Sequence, residues 1–184
     1  EGLTFDKGVF EELLVKSSFD FSDIQKNLAF LKGYKTEGNI SSQDITEAIP
    51  KSLQDNIFDM TQLLLRGQIQ DVRELVHDLR LQGEDEIKLI AVMLGQFRTY
   101  LQVKLLSAQG KSEQQIVSSL SDYLSRKVNP FQVRYAIRDS RHLSVAFLKT
   151  TIKTLVETDY QIKKGTLDKD YLLDLALLKI ASNS

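Results

Sequence analysis

Three consecutive residues of this chain resemble a site that binds phosphate. Gly110-Lys111-Ser112 matches the end of the pattern G-x-x-x-x-G-K-[ST], in which backbone N–H groups and a lysine hold nucleotide phosphates. The first glycine of that pattern belongs at position 105, where the chain has Leu105, and no strand pattern precedes it. A glycine that ends one helix and a serine that caps the next are enough to explain these residues.

The other reactive side chains also lack the spacing of a catalytic site. His77 and His142 are the only histidines and lie far apart, so a metal site would need carboxylates from elsewhere. Glu84, Asp85 and Glu86 crowd the first turn of a predicted helix, where negative charge is favourable, which makes them a capping cluster. The chain has no cysteine and no G-x-S-x-G pattern. The sequence therefore predicts no catalytic residue, cofactor or metal.

Asp159 occupies an unexpected position. Apolar residues recur every three or four positions along one stripe of a predicted helix, namely Val145, Leu148, Ile152, Leu155 and Ile162. Asp159 lies on the same stripe, and a buried carboxylate costs several kcal/mol unless it is paired. Lys163 is one turn away, and Arg98 of Gln96-Phe97-Arg98 could bind the carboxylate with two hydrogen bonds. We expect Asp159 to be bridged by Arg98 or to face a neighbouring subunit, and we take Gln96, Arg98, Asp159 and Lys163 as candidate structural or interface residues.

The helices that position these residues have recognisable ends. Ser144 is a good N-cap for the Asp159 helix, and Gly165 suits its C-cap. Asp168 then begins a helix whose apolar residues surround most of its circumference: Leu172, Leu173, Leu175, Ala176, Leu177, Leu178 and Ile180. Such a helix needs cover on more than one side, so we predict an interior helix of a bundle or of an assembly.

Composition indicates an all-α protein. The 184 residues include two prolines, and 42% hydrophobic and 27% charged residues are ordinary for a soluble chain. We find no convincing strand pattern, no run of about 20 apolar residues that could span a membrane and no signal peptide. We therefore expect a cytoplasmic protein without membrane partners. The start without Met suggests a piece of a longer protein.

Two domains are predicted, residues 1–49 and 50–184. The first holds three short helices, the second holds longer ones, and Pro50-Lys51-Ser52 is the best boundary. Six Lys, no Arg and eleven Asp and Glu give residues 1–60 a net charge of −5, whereas the rest carries +4. A charge of +4 spread over the longer part lacks the clustered basic stripe of proteins that bind DNA by themselves.

Several short motifs, in their order, resemble one family. They are Phe58-Asp59-Met60, Gly83-Glu84, Gln96-Phe97-Arg98, Val103-Lys104, Gly110-Lys111-Ser112, Asn129-Pro130-Phe131-Gln132-Val133 and the run from Glu157 to Gly165. The order and spacing are similar to those of the delta subunit of the bacterial DNA polymerase III clamp loader. The resemblance covers nearly the whole chain.

The resemblance implies an architecture and partners. Family members have an N-terminal domain of the ATPase-associated fold, a three-helix lid and a helical collar. This chain looks like the last two, with residues 1–49 as the lid and 50–184 as the collar. The collar would pack against the ATPase (gamma/tau) and delta-prime subunits in the replisome. The sliding clamp would be bound only through the N-terminal domain, and DNA would be met indirectly within the complex.

The resemblance also implies a subunit of the DNA-directed DNA polymerase holoenzyme without activity of its own. Residues 1–65 contain no Arg, whereas lids of active relatives supply an Arg to the nucleotide phosphates. Two alternatives stay open. A helical adaptor or repeat protein with an unrelated partner would form an open superhelix. A nucleotide-dependent enzyme would rest only on Gly110-Lys111-Ser112.

Overall fold

The computed structural model describes residues 2–17 and 20–183 of the chain. The chain divides into two compact units, Glu1–Lys51 and Ser52–Ser184. This division falls two residues after the boundary placed between residues 49 and 50. The described residues are mostly helical, as the sequence predicts.

In residues 2–17 and 20–51, the first unit contains three helices and a small parallel sheet. Its elements are β1 (Leu3–Phe5), α1 (Val9–Lys16), α2 (Phe21–Tyr34), β2 (Gly38–Ile40) and α3 (Ser42–Ala48). Six apolar side chains form its core: Val9, Leu13, Leu31, Ile40, Ile45 and Ile49. The expectation that the chain has no strand is wrong here, because three-residue strands are too short to show an alternating pattern.

The second unit is a bundle of seven helices within the part of the chain that the structure describes. They are α4 (Leu53–Leu65), α5 (Ile69–Leu81), α6 (Glu86–Ala108), α7 (Glu113–Leu124), α8 (Pro130–Asp139), α9 (Val145–Lys164) and α10 (Lys169–Ala181). The central helix is α6, which packs against α4, α7, α8, α9 and α10. It buries one broad face, which includes Leu89, Ile90, Met93, Phe97, Tyr100 and Val103.

Most helix ends follow the local sequence. Ser52 and Ser112 form capping boxes with the residues three positions later. Ser144 caps α9, and Gly165 ends it with φ 68°, a left-handed conformation that glycine adopts without strain. Gly33 is different: a glycine at this position suggests a helix end, but Gly33 lies inside α2, which continues to Tyr34. Among residues 2–17 and 20–183, no helix combines the length and the apolar character that crossing a membrane requires.

Candidate subunit interface

Asp159 pairs with a residue of its own helix. Its Oδ2 accepts a hydrogen bond from Lys163 Nζ at 2.7 Å, and 23% of its side chain is exposed. Arg98 is exposed on α6 and makes no ion pair among the residues that the structure describes. The expected bridge between Arg98 and Asp159 is therefore not formed within the chain, and orientation of Asp159 toward a neighbouring subunit stays a prediction.

The physical reason is the rotation of α9. Its buried residues are Phe147, Leu148, Thr151, Leu155 and Thr158. Thr158, rather than Asp159, occupies the inward position, and its hydroxyl donates to the Thr154 carbonyl oxygen at 2.8 Å. A threonine satisfied in this way can replace an apolar residue on a buried face, which a count of apolar residues alone misses. Asp159 is thus displaced to the edge of the face and needs no internal arginine.

Gln96 connects two helices by hydrogen bonds. The Thr61 hydroxyl of α4 donates to Gln96 Oε1 at 2.8 Å, and Gln96 Nε2 donates to the Tyr100 hydroxyl at 2.8 Å. Burial raises the pKa of Tyr100 to about 12, so its hydroxyl stays protonated. Gln96 thus has internal partners for both ends of its amide.

The most buried charge of the second unit is Glu86, only 2% exposed. Its Oε1 accepts from Arg80 Nε at 2.9 Å, and Lys169 Nζ lies 2.7 Å from its Oε2. Arg80 also approaches Asp170 and Asp174, and Lys169 also binds Asp85. We call these six residues the Glu86 cluster: Arg80, Asp85, Glu86, Lys169, Asp170 and Asp174. The cluster joins the end of α5 to the beginnings of α6 and α10.

The hydrogen bonds and ion pairs of the Glu86 cluster shift the pKa values of its members. Burial raises the pKa of the Glu86 carboxyl, but hydrogen bonds from Lys169, the backbone and Arg80 outweigh this effect and lower it to about 2. Hydrogen bonds to Asp85 and Glu86 raise the pKa of Lys169. The hydrogen bond with Glu86 raises the pKa of Asp170. At neutral pH Glu86 is therefore a carboxylate held by two cations.

Sequence reasoning assigned Glu86 only to a capping cluster. Asp85 is indeed the N-cap and accepts from the Ile87 N–H, but Glu86 points into the bundle. The spacing of the sequence could have predicted the burial of Glu86. It lies three, four and seven residues before Leu89, Ile90 and Met93, on the same buried stripe of α6. Its partners come from α5 and α10, which are distant in sequence.

A groove separates α5 from α10. We define the α5–α10 groove by Ile69, Val72, Arg73, Asp174, Leu177 and Leu178, which line a recess of about 130 Å³. A second, more polar recess of about 510 Å³ shares Arg73 and Asp174 with the first and continues toward His77 and Arg80. The groove thus has an apolar end and a charged end.

The last helix leaves apolar surface uncovered beside this groove. The inner face of α10 is buried, as the sequence predicts for an interior helix. Its outer face is not: Tyr171 is 56% and Leu178 49% exposed. These residues lie seven positions apart, so they share one side of the helix. Other apolar side chains of the second unit, Leu81, Tyr123, Tyr160 and Leu167, are more exposed still, so α10 is one of several candidate contact surfaces.

The exposed surface of α8 carries two arginines, and each of them is paired with a carboxylate of the chain. Arg134 lies over the Phe131 ring and Arg138 over the Tyr135 ring, 5.6 and 5.0 Å from the ring centroids. Arg134 also pairs with Glu113, and Arg138 with the Asp139 carboxylate. Both guanidinium groups of this surface therefore have carboxylate partners within the chain.

The residues that resembled a phosphate site have structural roles. Gly110 follows α6 with φ 77°, and Ser112 caps α7. Lys111 Nζ donates to Ser119 Oγ at 2.8 Å. The described part of the chain contains no group of three His, Asp or Glu residues that could hold a metal ion. The expected helix stop followed by a helix cap is confirmed.

Comparison with protein families decides what kind of bundle this is. A family model described as DNA polymerase III delta subunit, C-terminal domain, matches residues 54–180. The chain belongs to the DNA polymerase III delta subunit family. The matched residues lie within the helical second unit, and they include Gln96, Arg98, Asp159 and Lys163. The resemblance on which the sequence interpretation rests is thereby confirmed.

Relatives of this delta family extend the match to the first unit. The DNA polymerase III subunit delta of Bacillus subtilis (strain 168) is 34% identical over 160 residues, which are 87% of this chain and 44% of that protein. The solved structure of the Bacillus subtilis DNA clamp loader delta protein (YqeN) matches with a TM-score of 0.84 and 30% identity, over 97% of this chain and 51% of that one. The chain thus spans about half the length of these delta relatives.

Proposed function

We propose that this chain is a non-catalytic part of a DNA polymerase III clamp loader, with residues 1–49 as the lid and 50–184 as the collar. The collar holds neighbouring loader subunits together, so that the clamp can be opened and loaded on DNA during replication in the cytoplasm. Membership of the delta family supports this role. The observation that carries it is the match of the delta-family model to residues 54–180, and the exposed apolar side chains of α10 beside the α5–α10 groove are one candidate contact surface.

The mechanism requires a scaffold that does not deform while its neighbours move. The α6 helix supplies such a scaffold because it contacts five other helices of the bundle. The Glu86 cluster fixes the ends of α5, α6 and α10 to one another with ion pairs from three helices. A partner bound to α10 is therefore held at a defined position relative to the rest of the collar. Stable interfaces of this kind bury roughly 1,200–2,000 Å² in total.

The partners we propose are the ATPase (gamma/tau) and delta-prime subunits. No described residue is arranged for catalysis in this proposal, and the sliding clamp and DNA are contacted by other parts of the loader. Holoenzyme activity then depends on the chain only through assembly. A scaffold subunit needs a stable fold and a complementary contact surface, and it does not need reactive side chains.

Reconstitution tests the proposal. Residues 1–184 are mixed with purified delta-prime and ATPase subunits, and the mixture is separated by size-exclusion chromatography with light scattering. We expect a stoichiometric complex with at least one of these subunits and no binding to the isolated clamp in a pull-down. Capture of the clamp by this chain alone would contradict the proposed role, and so would a failure to bind any of the loader subunits.

A further inference from the structure

A buried carboxylate oxygen at the end of α8 has no hydrogen-bond partner among residues 2–17 and 20–183. It is Oδ2 of Asp139, whose side chain is 8% exposed, whereas Oδ1 of the same carboxylate accepts from Arg138 Nε at 2.8 Å. Asp139 is the last residue of α8, where the negative end of the helix dipole disfavours a carboxylate. Because a buried acceptor without a partner destabilises the fold, this oxygen indicates a small ligand that donates a hydrogen bond to it.

Two polar residues of α6 lie against the same end of α8. Lys104 Nζ donates to the carbonyl oxygens of Ser140 and Arg141 at 3.1 and 2.9 Å, directly after the last residue of the helix. Tyr100 is one turn before Lys104, so the two side chains share one side of α6. Burial raises the pKa of Tyr100, and the negative charge of Asp139 adds to this increase, which requires the carboxylate to lie near the hydroxyl. Three polar groups therefore converge beside the end of α8.

All three groups can form a further hydrogen bond. Within the part of the chain that the structure describes, the Tyr100 hydroxyl makes one hydrogen bond, accepted from Gln96 Nε2 at 2.8 Å, and a phenol hydroxyl can make a second. The Lys104 ammonium group has three N–H donors and uses two of them. The third group is Asp139 Oδ2. A buried water molecule typically makes about three hydrogen bonds, which is the number that these groups provide.

Burial and charge restrict what can bind to this oxygen. Because Asp139 Oδ2 is buried, a side chain of another protein does not reach it. Lys104 and Arg138 already place two positive charges near the carboxylate, so a metal cation is disfavoured by repulsion. A neutral ligand that both donates and accepts hydrogen bonds suits a carboxylate, a hydroxyl and an ammonium group, and water is the smallest such ligand.

We propose that one buried water molecule bridges Asp139 Oδ2, the Tyr100 hydroxyl and the Lys104 ammonium group. The water donates a hydrogen bond to the carboxylate and accepts from the ammonium group, and it completes the hydrogen bonding of the hydroxyl. The bridge extends a line of hydrogen bonds that begins at Thr61 of α4 and passes through Gln96 and Tyr100 of α6. The water thus fixes the end of α8 to the centre of the bundle. This inference goes beyond the proposed function and does not depend on it.

A crystal structure of residues 1–184 that resolves ordered water tests the site directly. We expect an electron-density peak at about 2.5–3.0 Å from both Asp139 Oδ2 and the Tyr100 hydroxyl oxygen. The peak should be weaker in Tyr100→Phe, which removes one of its partners. In the matched control Tyr123→Phe, which makes the same chemical change on an exposed side chain of α7, the peak should be unchanged. The inference is wrong if the wild-type protein has no such peak, or if the Tyr100 hydroxyl binds Asp139 Oδ2 directly.

Unfolding in solution provides a second readout. A double-mutant cycle combines Tyr100→Phe with Asp139→Asn, and urea denaturation gives the folding equilibrium constant of each variant. We expect the two substitutions to be coupled at least about fivefold, because each of them removes one side of the same bridge. The control cycle of Tyr123→Phe with Asp139→Asn should show coupling below about twofold. Equal coupling in the two cycles would overturn the bridge, and if Tyr100→Phe does not fold, the density in the wild-type protein decides alone.

Discussion

Arg80 donates its Nε–H to Glu86 Oε1 at 2.9 Å across the turn between α5 and α6. The turn includes Gly83, which has φ 85° and follows the last helical residues of α5. The same guanidinium group reaches Asp174 of α10 at 3.3 Å, so one side chain connects two helix ends with a third helix. The guanidinium group of Arg80 thus ties the end of α5 to α6 and to α10.

The first prediction concerns the stability that Glu86 contributes. Glu86→Gln leaves Arg80 and Lys169 without their shared carboxylate while it keeps the size of the side chain. We expect the free energy of unfolding to fall by about 2 kcal/mol, because both cations lose their most buried partner, although Arg80 keeps Asp174 and Lys169 keeps Asp85. Urea denaturation followed by circular dichroism measures the change. In the matched control Glu84→Gln, which removes a more exposed pair with Lys88, the loss should stay below about 0.5 kcal/mol.

The second prediction is that the free energy of unfolding decreases as the pH falls below about 4.5. The pKa of Glu86 is about 2 in the folded chain and 4.5 ordinarily, so its contribution is present above pH 4.5 and is lost as the pH falls from about 4.5 to 2. Asp85 acts in the same direction because hydrogen bonds from Lys169 and the Ile87 N–H lower its pKa. Asp170 has a raised pKa, so its contribution is lost as the pH rises and partly opposes the other two.

Urea denaturation of the wild-type protein and of Glu86→Gln at several pH values measures this dependence. The difference in unfolding free energy between the two proteins should be largest near pH 7 and should shrink by at least half at pH 3. A difference that is independent of pH would show that Glu86 does not ionise as the ion pairs require.

The third prediction compares two adjacent positions of α9. Asp159→Asn removes a partly exposed pair with Lys163 and should cost less than about 0.5 kcal/mol in the isolated chain. Thr158→Asp places a carboxylate on the buried face one residue earlier and should cost about 3 kcal/mol or more. Thermal unfolding of both variants distinguishes the two positions. Equal losses would mean that α9 is rotated differently from the arrangement described above.

The fourth prediction concerns Gln96. In Gln96→Leu the Thr61 hydroxyl loses an acceptor and the Tyr100 hydroxyl loses a donor, both in a part-buried region. The Thr61 hydroxyl keeps the Ile57 carbonyl oxygen as an acceptor at 2.9 Å, so we expect a loss of about 1 kcal/mol, which comes mainly from the Tyr100 hydroxyl. Gln102→Leu, a substitution on the same helix at a position with partial exposure, is the control and should be close to neutral. Urea denaturation of both variants is the measurement, and a neutral Gln96→Leu would contradict the role of the hydrogen bonds.

Local patterns predict the helices well because capping is a local interaction. Ser112, Ser144 and Asp168 each cap the helix that the sequence places after them. Contacts between distant segments are not local, and the sequence interpretation missed Lys169 as the partner of Glu86. The Arg98 bridge fails for the same reason: the rotation of α9 depends on how Thr151 and Thr158 pack, which a stripe of apolar residues does not show.

The small sheet of the first unit also depends on distant residues. β1 and β2 are separated by more than 30 residues and pair in parallel, with Leu3 opposite Gly38 and Phe5 opposite Ile40. Nothing within either three-residue segment predicts the other. Family resemblance, in contrast, draws on the whole chain at once, and it predicted the delta family from motifs that are each weak alone.

The fifth prediction separates the structural and nucleotide-binding interpretations of Gly110-Lys111-Ser112. Lys111 already donates to Ser119, and the Ser112 hydroxyl accepts from the Gln115 N–H as the cap of α7. We therefore expect no binding of Mg-ATP by calorimetry, either before or after Lys111→Ala. Ser112→Ala should instead lower the unfolding free energy by about 1 kcal/mol, since it removes an N-cap, while Ser118→Ala on the exposed side of α7 should not. Saturable ATP binding that disappears in Lys111→Ala would reverse this assignment, because a helix cap has no reason to require a lysine.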